Sequence, residues 1–329
     1  MRSDERVTPA TPRVTVTKLG FLSQDKTTQI KALMFSPANG KGVTPKAIIH
    51  LAHGMEEHSG RYTDFAHHLA SQGFVVCAAD MLGHGLSVTD SEKLSCIPAK
   101  NGKEILLEDV HELRKTIAAR FSRQTPYFVF GHSMGSFLMR AYVTRYGGGL
   151  AGAVFCGTGY QSVPFLRVSN LFSKLLAKLK GEDYKSALLE DLCLGAYAKK
   201  IENSRTALDW LCTDDAVVDA YIADSLSGNP FSAGGYITLT DLAAEVGTKA
   251  SAKKLPQDLP ILLIGGALDP VGDEGKGVKK VANLLKNEGI KHVDVILYEG
   301  MRHEIFNEPD KEKVYGDLVE WFDSRIAAL

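Results

Sequence analysis

The chain has 329 residues, is 44% hydrophobic and 23% charged, and carries a formal net charge of -1. This composition is typical of a globular protein with a large core, and the small net charge gives no indication of nucleic-acid binding or of attraction to an acidic membrane surface. No stretch approaches the ~18 continuous apolar residues that a membrane span needs. The five cysteines are odd in number, widely spaced and fit no metal-binding pattern, which favours reduced thiols in a cytoplasmic protein.

The N-terminal segment Met1–Arg13 is polar and lacks the apolar region of a secretory signal, so it is predicted to be a flexible leader. After it, short β-rich runs alternate with amphipathic helical patterns. The predicted strands are Val14–Leu22, Thr28–Phe35, Ala47–Ala52, Phe74–Ala79, Phe128–Phe130, Ala151–Cys156, Ile261–Gly265 and Val293–Leu297. The first two are expected to pair antiparallel, and the later apolar runs predict a mostly parallel sheet with helices on both faces.

From Gln161 to Gly235 the strand signal stops and only helical periodicity remains. A helical insertion within a sheet-building chain is expected to lie as a cap over the carboxyl edge of the sheet, where open α/β sheets bind ligands. The predicted organisation is therefore a leader at 1–13, an α/β core at 14–160 and 236–329, and a cap at 161–235.

One apolar run ends in a glycine-flanked serine. The segment Gly131-His132-Ser133-Met134-Gly135 follows the strand Phe128–Phe130 and precedes the apolar helix Phe137–Val143. This G-x-S-x-G pattern, between a strand and a helix, describes a nucleophile elbow in which the serine hydroxyl is exposed on a strained turn. Gly131 and Gly135 would be required because a Cβ at either position clashes with neighbouring backbone. By itself the motif also fits an ordinary glycine-rich turn.

A serine nucleophile needs a base and an acid that orients the base, and on this fold the acid and then the histidine follow the serine in the chain. Of the ten histidines, only His292 and His303 come after Ser133. His303 lies just past a strand end, whereas His292 begins a strand. Asp269 also follows a strand, with Asp273 as the nearest rival. The predicted roles are Ser133 as nucleophile, His303 as general base and Asp269 as its orienting acid.

The tetrahedral intermediate of such a reaction needs two preorganised N–H donors. The backbone N–H of Met134 opens a helix, where the dipole also favours negative charge. The second donor is expected from the loop after His53-Gly54, which places Met55 in that role.

Five segments in this order resemble the monoacylglycerol lipases and their bacterial lysophospholipase-like relatives. They are His53–Tyr62, Asp80–Ser87, Gly131–Gly135, Asp269–Gly272 and Tyr298–Glu304. The resemblance covers the chain from Val14 to the C-terminus. It implies an α/β-hydrolase fold, no cofactor and no metal, and hydrolysis of carboxylic esters of lipids or small alcohols through an acyl-enzyme at Ser133, Asp269 and His303.

The clearest departure from the animal monoacylglycerol lipases is Met55-Glu56, where those enzymes have small residues. This difference leaves the alcohol-binding part of the pocket undetermined. The family is also grouped with serine aminopeptidases, so a peptidase that holds a free amine with Glu56 and Glu57 is one alternative. A non-catalytic binding module is another, although such proteins usually lose a triad residue or the elbow glycines.

In the predicted cap, an apolar helical face lies opposite Lys174, Lys178 and Lys180. Its members are Leu171, Phe172, Leu175, Leu176 and Leu179. This face could contact a lipid surface transiently, but packing onto the rest of the cap is the expectation, because a cap helix needs a buried stripe. His132, Leu166 and Leu175 are predicted to line the substrate pocket, with Phe165 and the pair Leu188-Leu189 as further candidates. The stretch Asp209–Asp224 is predicted to be solvated. The oligomeric state is left open.

Overall fold

The computed structural model describes residues 14–38 and 44–329, so the predicted leader at 1–13 lies outside the described residues. Eight strands form a single sheet in the order β1-β2-β4-β3-β5-β6-β7-β8. Their bounds are β1 Val14–Leu22, β2 Gln29–Pro37, β3 Ile48–Ala52, β4 Val75–Ala79, β5 Tyr127–His132, β6 Gly152–Cys156, β7 Ile261–Gly266 and β8 Val293–Tyr298. Each predicted strand is present within a few residues of its expected limits.

The sheet is antiparallel only at one edge. Strand β2 pairs antiparallel with both β1 and β4, and all other neighbours are parallel. The six strands β3 to β8 are parallel to one another and therefore all end at the same edge of the sheet. The loops that follow them lie together at that edge. The strands β3, β5, β6 and β7 are buried along their whole length, which is why their sequences are continuously apolar rather than alternating.

Helices cover both faces of the sheet. The helices are α1 Thr63–Ser71, α2 Gly102–Ala118, α3 Met134–Tyr146, α4 Val163–Lys180, α5 Ala187–Cys193, α6 Gly195–Ala198, α7 Asp215–Ala223, α8 Ala233–Val246, α9 Lys249–Ala252, α10 Lys276–Asn287 and α11 Lys311–Ile326. Apolar side chains of α1 and α11 share one core cluster with one face of the strands. Side chains of α2, α3, α8 and α10 form the second cluster on the opposite face.

Six helices, α4 to α9, are inserted between β6 and β7. Among them, α8 packs both against α4 and against α3 and α2 of the core. It therefore crosses the predicted cap boundary at Gly235, and the sequence pattern gave no helix for 236–246. The limits of the cap as a unit stay a prediction.

A search of the described residues for membrane-spanning segments was negative, since no helix in them is both long enough and apolar enough to cross a bilayer.

Candidate active site

Ser133 occupies the sharp turn between β5 and α3. Its backbone has φ 52° and ψ −122°, a left-handed conformation that non-glycine residues rarely adopt. The turn is held by hydrogen bonds on both sides: Ser133 N donates to Cys156 O at 3.0 Å, and Ser136 Oγ donates to Ser133 O at 2.6 Å. This strained strand-to-helix turn is the geometry of a nucleophile elbow.

The two elbow glycines lie where the sequence predicted a steric need for them. A Cβ on Gly131 would collide with the backbone of Gly135 and Ser136, and a Cβ on Gly135 would collide with the carbonyls of Ala52 and His53. Backbone atoms cannot move aside as a flexible side chain can. A tight turn of this kind therefore admits only glycine at both positions.

His303 and Asp269 meet at the carboxyl edge of the sheet. Asp269 follows β7 and His303 follows β8, and His303 Nδ1 lies 2.9 Å from Asp269 Oδ2. The other oxygen of Asp269, Oδ1, accepts a hydrogen bond from Val271 N at 2.9 Å. This arrangement directs the His303 ring, with Nδ1 bound by the carboxylate and Nε2 left for chemistry.

The protonation of His303 is shaped by opposing effects. Burial by itself would lower the pKa of the imidazole, but the charge and hydrogen bond of Asp269, with smaller contributions from Glu304 and Glu57, outweigh burial and raise the pKa above its ordinary value. A base with a raised pKa accepts a proton more readily, which suits removal of a proton from a hydroxyl.

Ser133 and His303 line the same cavity. No hydrogen bond joins Ser133 Oγ to the His303 ring in this conformation of the described residues, and such contacts commonly tighten only when substrate is bound.

The rival candidates lie elsewhere. Asp273 is exposed and its carboxylate lies 3.4 Å from Lys200 Nζ. His292 contributes its backbone carbonyl to Ile261 N at the start of β7, the edge opposite to Ser133. The structure thus brings Asp269 and His303 together and leaves Asp273 and His292 apart from them.

The loop after β3 lies directly against the elbow. A Cβ on Gly54 would be 3.1 Å from Ser133 Cβ, and Met55 and Met134 both line the cavity that contains Ser133. Met134 is the first residue of α3, so its N–H is one of those that an α-helix leaves without an internal partner. Both predicted oxyanion donors are therefore adjacent to the serine, and their catalytic role stays a proposal.

A buried ionic network that the sequence did not reveal connects this loop to His303. Arg61 bonds Glu57 at 3.0 Å and holds the Glu304 carboxylate through two hydrogen bonds, the second at 2.7 Å. Tyr62 OH donates to Glu57 Oε1 at 2.7 Å and lies 2.7 Å from His132 Nδ1. The three charged side chains are 4 to 11% exposed.

The network also holds the loop after β3 in place. Glu57 Oε1 accepts from Gly54 N at 2.5 Å, and Glu304 is the residue after His303. Burial alone would raise the pKa of Glu57, but its hydrogen bond with His132 and the charge of Arg61 hold the pKa well below the ordinary value. The Arg61 guanidinium thus joins the loop after β3, which carries Met55, to the loop after β8, which carries His303.

Removal of the Arg61 guanidinium should be strongly destabilising. Arg61→Ala leaves two buried carboxylates side by side without a counter-charge, and we expect the free energy of unfolding to fall by about 3–5 kcal/mol in urea titrations. Arg145→Ala is the matched control, because Arg145 pairs with Glu104 at the surface and should cost at most about 1 kcal/mol. Equal losses in the two variants would contradict this view of the network.

The cavity that contains Ser133, named the catalytic cavity for its proposed role, is lined in part by the segment Asp209–Asp224 that was predicted to be solvated. That prediction holds for the outer side of α7, where Asp215 and Asp219 are exposed, but it is wrong for Trp210 and Tyr221. Trp210 is buried with its ring 5.1 Å from the His303 ring, and Tyr221 is buried with its ring 4.6 Å from the Arg61 guanidinium. Arg302 holds this segment by donating to the carbonyls of Asp209 and Cys212. In the sequence, a tryptophan among acidic residues was a sign of a role for Trp210 in the site. Its inward orientation, however, depends on the contacts of Arg302 with this segment.

A second, mostly apolar cavity lies beside the first and is lined partly by α4. The two cavities share Phe137, Cys193, Tyr197, Leu239 and Val271 in their linings. Of the pocket residues predicted from sequence, His132 lines the catalytic cavity, and Phe165, Leu166 and Leu189 line the apolar one.

The prediction that Leu175 lines the pocket is wrong, since it lines neither cavity and is 50% exposed. Helix α4 turns Leu166, Asn170 and Ser173 inward, and Leu175 falls on the opposite side. Leu188 is likewise exposed.

The expected packing of the whole apolar face of α4 is also wrong. Phe172 and Leu176 pack against the core, but Leu171 is 69% and Leu179 is 67% exposed. With Val168 and Leu175 they form an uncovered apolar strip. Inward-facing Asn170, which donates to Ile237 O and Thr240 Oγ1, fixes the rotation of α4 that leaves this strip outside.

No group of three or more His, Cys, Asp or Glu side chains within residues 14–38 and 44–329 is arranged to hold a metal ion.

The sheet order, the strained elbow and the Asp–His pair at later strand ends define an α/β-hydrolase. The family model described as "Serine aminopeptidase, S33" matches residues 43–310, and the chain belongs to that family.

Several characterised relatives resemble the chain over most of its length. It is 29% identical to a monoacylglycerol lipase of Mycolicibacterium smegmatis, over 86% of this chain and 90% of the relative. It is 28% identical to the monoglyceride lipase of Mus musculus, over 87% and 85%. Among solved structures, a thermostable carboxyl esterase from Bacillus coagulans superimposes with a TM-score of 0.86 at 29% identity, covering 95% of this chain and 99% of the esterase.

These similarities confirm three predictions: the resemblance to monoacylglycerol lipases, the α/β-hydrolase fold and the class of carboxylic ester hydrolase.

Proposed function

We propose that Ser133, His303 and Asp269 form the catalytic triad of this serine ester hydrolase, and that its substrates are monoacylglycerols or lysophospholipids. The observation that supports the triad most directly is the 2.9 Å contact between His303 Nδ1 and Asp269 Oδ2, with His303 facing the cavity that contains Ser133.

The chemistry follows from these positions. Ser133 Oγ attacks the ester carbonyl carbon while His303 Nε2 takes the hydroxyl proton, and Asp269 stabilises the imidazolium. The N–H groups of Met55 and Met134 bind the oxyanion, each contributing about 3 kcal/mol to the stability of the transition state. His303 then gives its proton to the departing alcohol oxygen, and water hydrolyses the acyl-enzyme by the same steps in reverse order.

The shape of the site supports a lipid acyl group. The apolar cavity shares Phe137 and Leu239 with the cavity that contains Ser133. It is lined by Phe165, Leu166, Leu189 and Leu192, so an acyl chain can leave water there. The superimposed carboxyl esterase from Bacillus coagulans was solved in complex with glycerol, and the lipase relatives are named for monoacylglycerol cleavage.

A peptidase is the second candidate because of the family description. A free substrate amine would need an available carboxylate, but Glu57 is already bound to Arg61, Tyr62 and Gly54 N. Glu56 also lines the cavity, but burial raises its pKa to about 8, so at neutral pH it mostly lacks the negative charge that holds an amine. Both observations favour an ester over an aminoacyl substrate.

A substrate panel tests the proposal. We expect purified protein to hydrolyse 1-monoacylglycerols and lysophospholipids of graded chain length, and to react with a fluorophosphonate probe at Ser133. Hydrolysis of aminoacyl-arylamides with no turnover of any ester would contradict it, and absence of probe labelling would favour a non-catalytic binding module.

The exposed strip of α4 supports transient contact with a lipid surface. Apolar Leu171, Leu175 and Leu179 project outward beside the exposed Lys174 and Lys178, which is the pattern of an interfacial helix. Changing the three leucines to serine should weaken sedimentation with anionic phospholipid vesicles by at least about 30-fold, since burial of even one leucine contributes about 2 kcal/mol.

The matched control for this prediction changes Val16 and Leu22 to serine. Both are exposed on β1, far from the cap in the sheet order, and their replacement should leave vesicle binding unchanged. Equal binding by the α4 variant and the unaltered protein would contradict the contact.

A cytoplasmic location is part of the same proposal. The five cysteines are free in the structure, which is ordinary for proteins of a reducing compartment.

A further inference from the structure

Glu56, the residue after the oxyanion candidate Met55, has an unusual backbone. Its φ is 56°, in the left-handed region where a side chain other than glycine, asparagine or aspartate is uncommon. Residues in such conformations persist only where their surroundings hold them, and they are concentrated at functional sites.

Residues between β6 and β7 hold Glu56 from three sides. Its backbone carbonyl accepts hydrogen bonds from Tyr221 OH and Gly228 N, both at 2.8 Å. Its side-chain Oε1 accepts one from Phe231 N at 3.1 Å. With only 4% of its surface exposed, the side chain has a defined position at the wall of the catalytic cavity.

One oxygen of the Glu56 carboxyl group makes no hydrogen bond within the described residues. Glu56 Oε2 has no hydrogen-bond partner and no ion pair among residues 14–38 and 44–329. The other two glutamates of the cavity differ, because Glu57 and Glu304 are both held by Arg61. Oε2 is not one of the fully buried, unpartnered polar atoms of the described residues. It therefore keeps some accessible surface at the cavity wall, where a ligand group can form a hydrogen bond with it.

The carboxyl group can offer a proton as well as a lone pair. Burial, assisted by the negative charge of Glu190, raises the pKa of Glu56 to about 8. At neutral pH its neutral form therefore predominates, and a neutral carboxyl both donates and accepts. An alcohol hydroxyl has the same dual capacity and carries no charge.

The site consists of two cavities, and their linings indicate which part of a substrate contacts Glu56. The acyl chain occupies the apolar cavity, whose lining does not include Glu56. The alcohol portion of the ester then lies in the catalytic cavity, whose lining includes Glu56. We propose that Glu56 is a specificity-determining residue that hydrogen-bonds a free hydroxyl on the alcohol portion of the ester, so that esters of uncharged polyols are preferred. This inference rests on the proposed ester hydrolase function.

Two esters of one fatty acid test the inference: the 1-acylglycerol, which has free hydroxyls, and the methyl ester, which has none. Glu56→Met removes the hydrogen-bonding group at similar length, and we expect the ratio of kcat/KM for the glycerol ester to that for the methyl ester to fall about 10-fold. Methyl ester hydrolysis should persist. Glu56→Gln keeps a donor and an acceptor and should retain most of the ratio.

Thermal unfolding and fluorophosphonate labelling of each variant show whether the site is intact. An unchanged ratio in Glu56→Met, or an equal loss with both esters, would overturn the inference, because a purely structural role affects both esters alike. A selective loss of aminoacyl-arylamide cleavage in Glu56→Gln would also overturn it by assigning the carboxyl to an amine. Failure of the proposed function is distinct: the unaltered protein would then cleave neither ester, or Ser133→Ala would still cleave both.

Discussion

Ser133→Ala should abolish ester hydrolysis while the protein remains folded. Without Oγ no acyl-enzyme forms, and in enzymes of this mechanism loss of the nucleophile lowers kcat by about 10⁴-fold or more. The fold should be retained because the hydrogen bonds of this turn use the backbone of Ser133, through Cys156 O and Ser136 Oγ. Alanine carries the same left-handed strain as serine, so unfolding in urea should change little. Turnover of a p-nitrophenyl ester and of a monoacylglycerol gives the measurement.

Ser71→Ala is a suitable control for this variant. Ser71 lies at the end of α1 and its Oγ donates only to His68 O, within its own helix. It should keep full activity and full fluorophosphonate labelling, both of which Ser133→Ala should lose. Undiminished ester turnover by Ser133→Ala would refute the assignment of the nucleophile.

Asp269→Asn should lower kcat by about 10⁴-fold, because an amide at this position favours the wrong tautomer of His303. A second effect follows from charge. Asp269 raises the pKa of His303 against the effect of burial, so its neutral replacement should let that pKa fall. Since His303 acts as a base only when it is neutral, the acid limb of kcat/KM should move to lower pH. An activated ester at high enzyme concentration makes the residual rate measurable.

Asp273→Asn separates the acid of the triad from its nearest rival. Asp273 is exposed and paired with Lys200 at the surface, so its neutral variant should keep both the rate and the pH profile of the unaltered protein. If Asp273→Asn shifted the acid limb and Asp269→Asn did not, the roles would have to be exchanged.

Much of the fold followed from local sequence. The buried strands are continuously apolar because helices cover both faces of the sheet, and this pattern needs no knowledge of the partners. Glycines at Gly131 and Gly135 predict a turn because only that geometry requires them. The chain order of Ser133, Asp269 and His303, each just past a strand, then placed all three at one sheet edge, where the structure brings Asp269 and His303 into contact.

The cap was the least predictable part. Its helices have apolar residues around much of their circumference, so periodicity did not reveal which face turns inward. The hydrogen bonds of Asn170 to α8 settle the rotation of α4, and they place Leu175 outside. Trp210 lies in the catalytic cavity because Arg302 donates hydrogen bonds to the carbonyls of Asp209 and Cys212. These hydrogen bonds join segments about ninety residues apart in the sequence.

The sequence by itself determined the α/β architecture and the residues proposed for catalysis, because steric and periodic constraints act between neighbours in the chain. Only the tertiary structure decided the environment of the reaction. It showed that Arg61 joins Glu57 to Glu304 and that Glu56 keeps one carboxyl oxygen unpartnered among the described residues. Charge pairing and desolvation depend on distances between segments remote in sequence, and those distances exist only after the chain has folded.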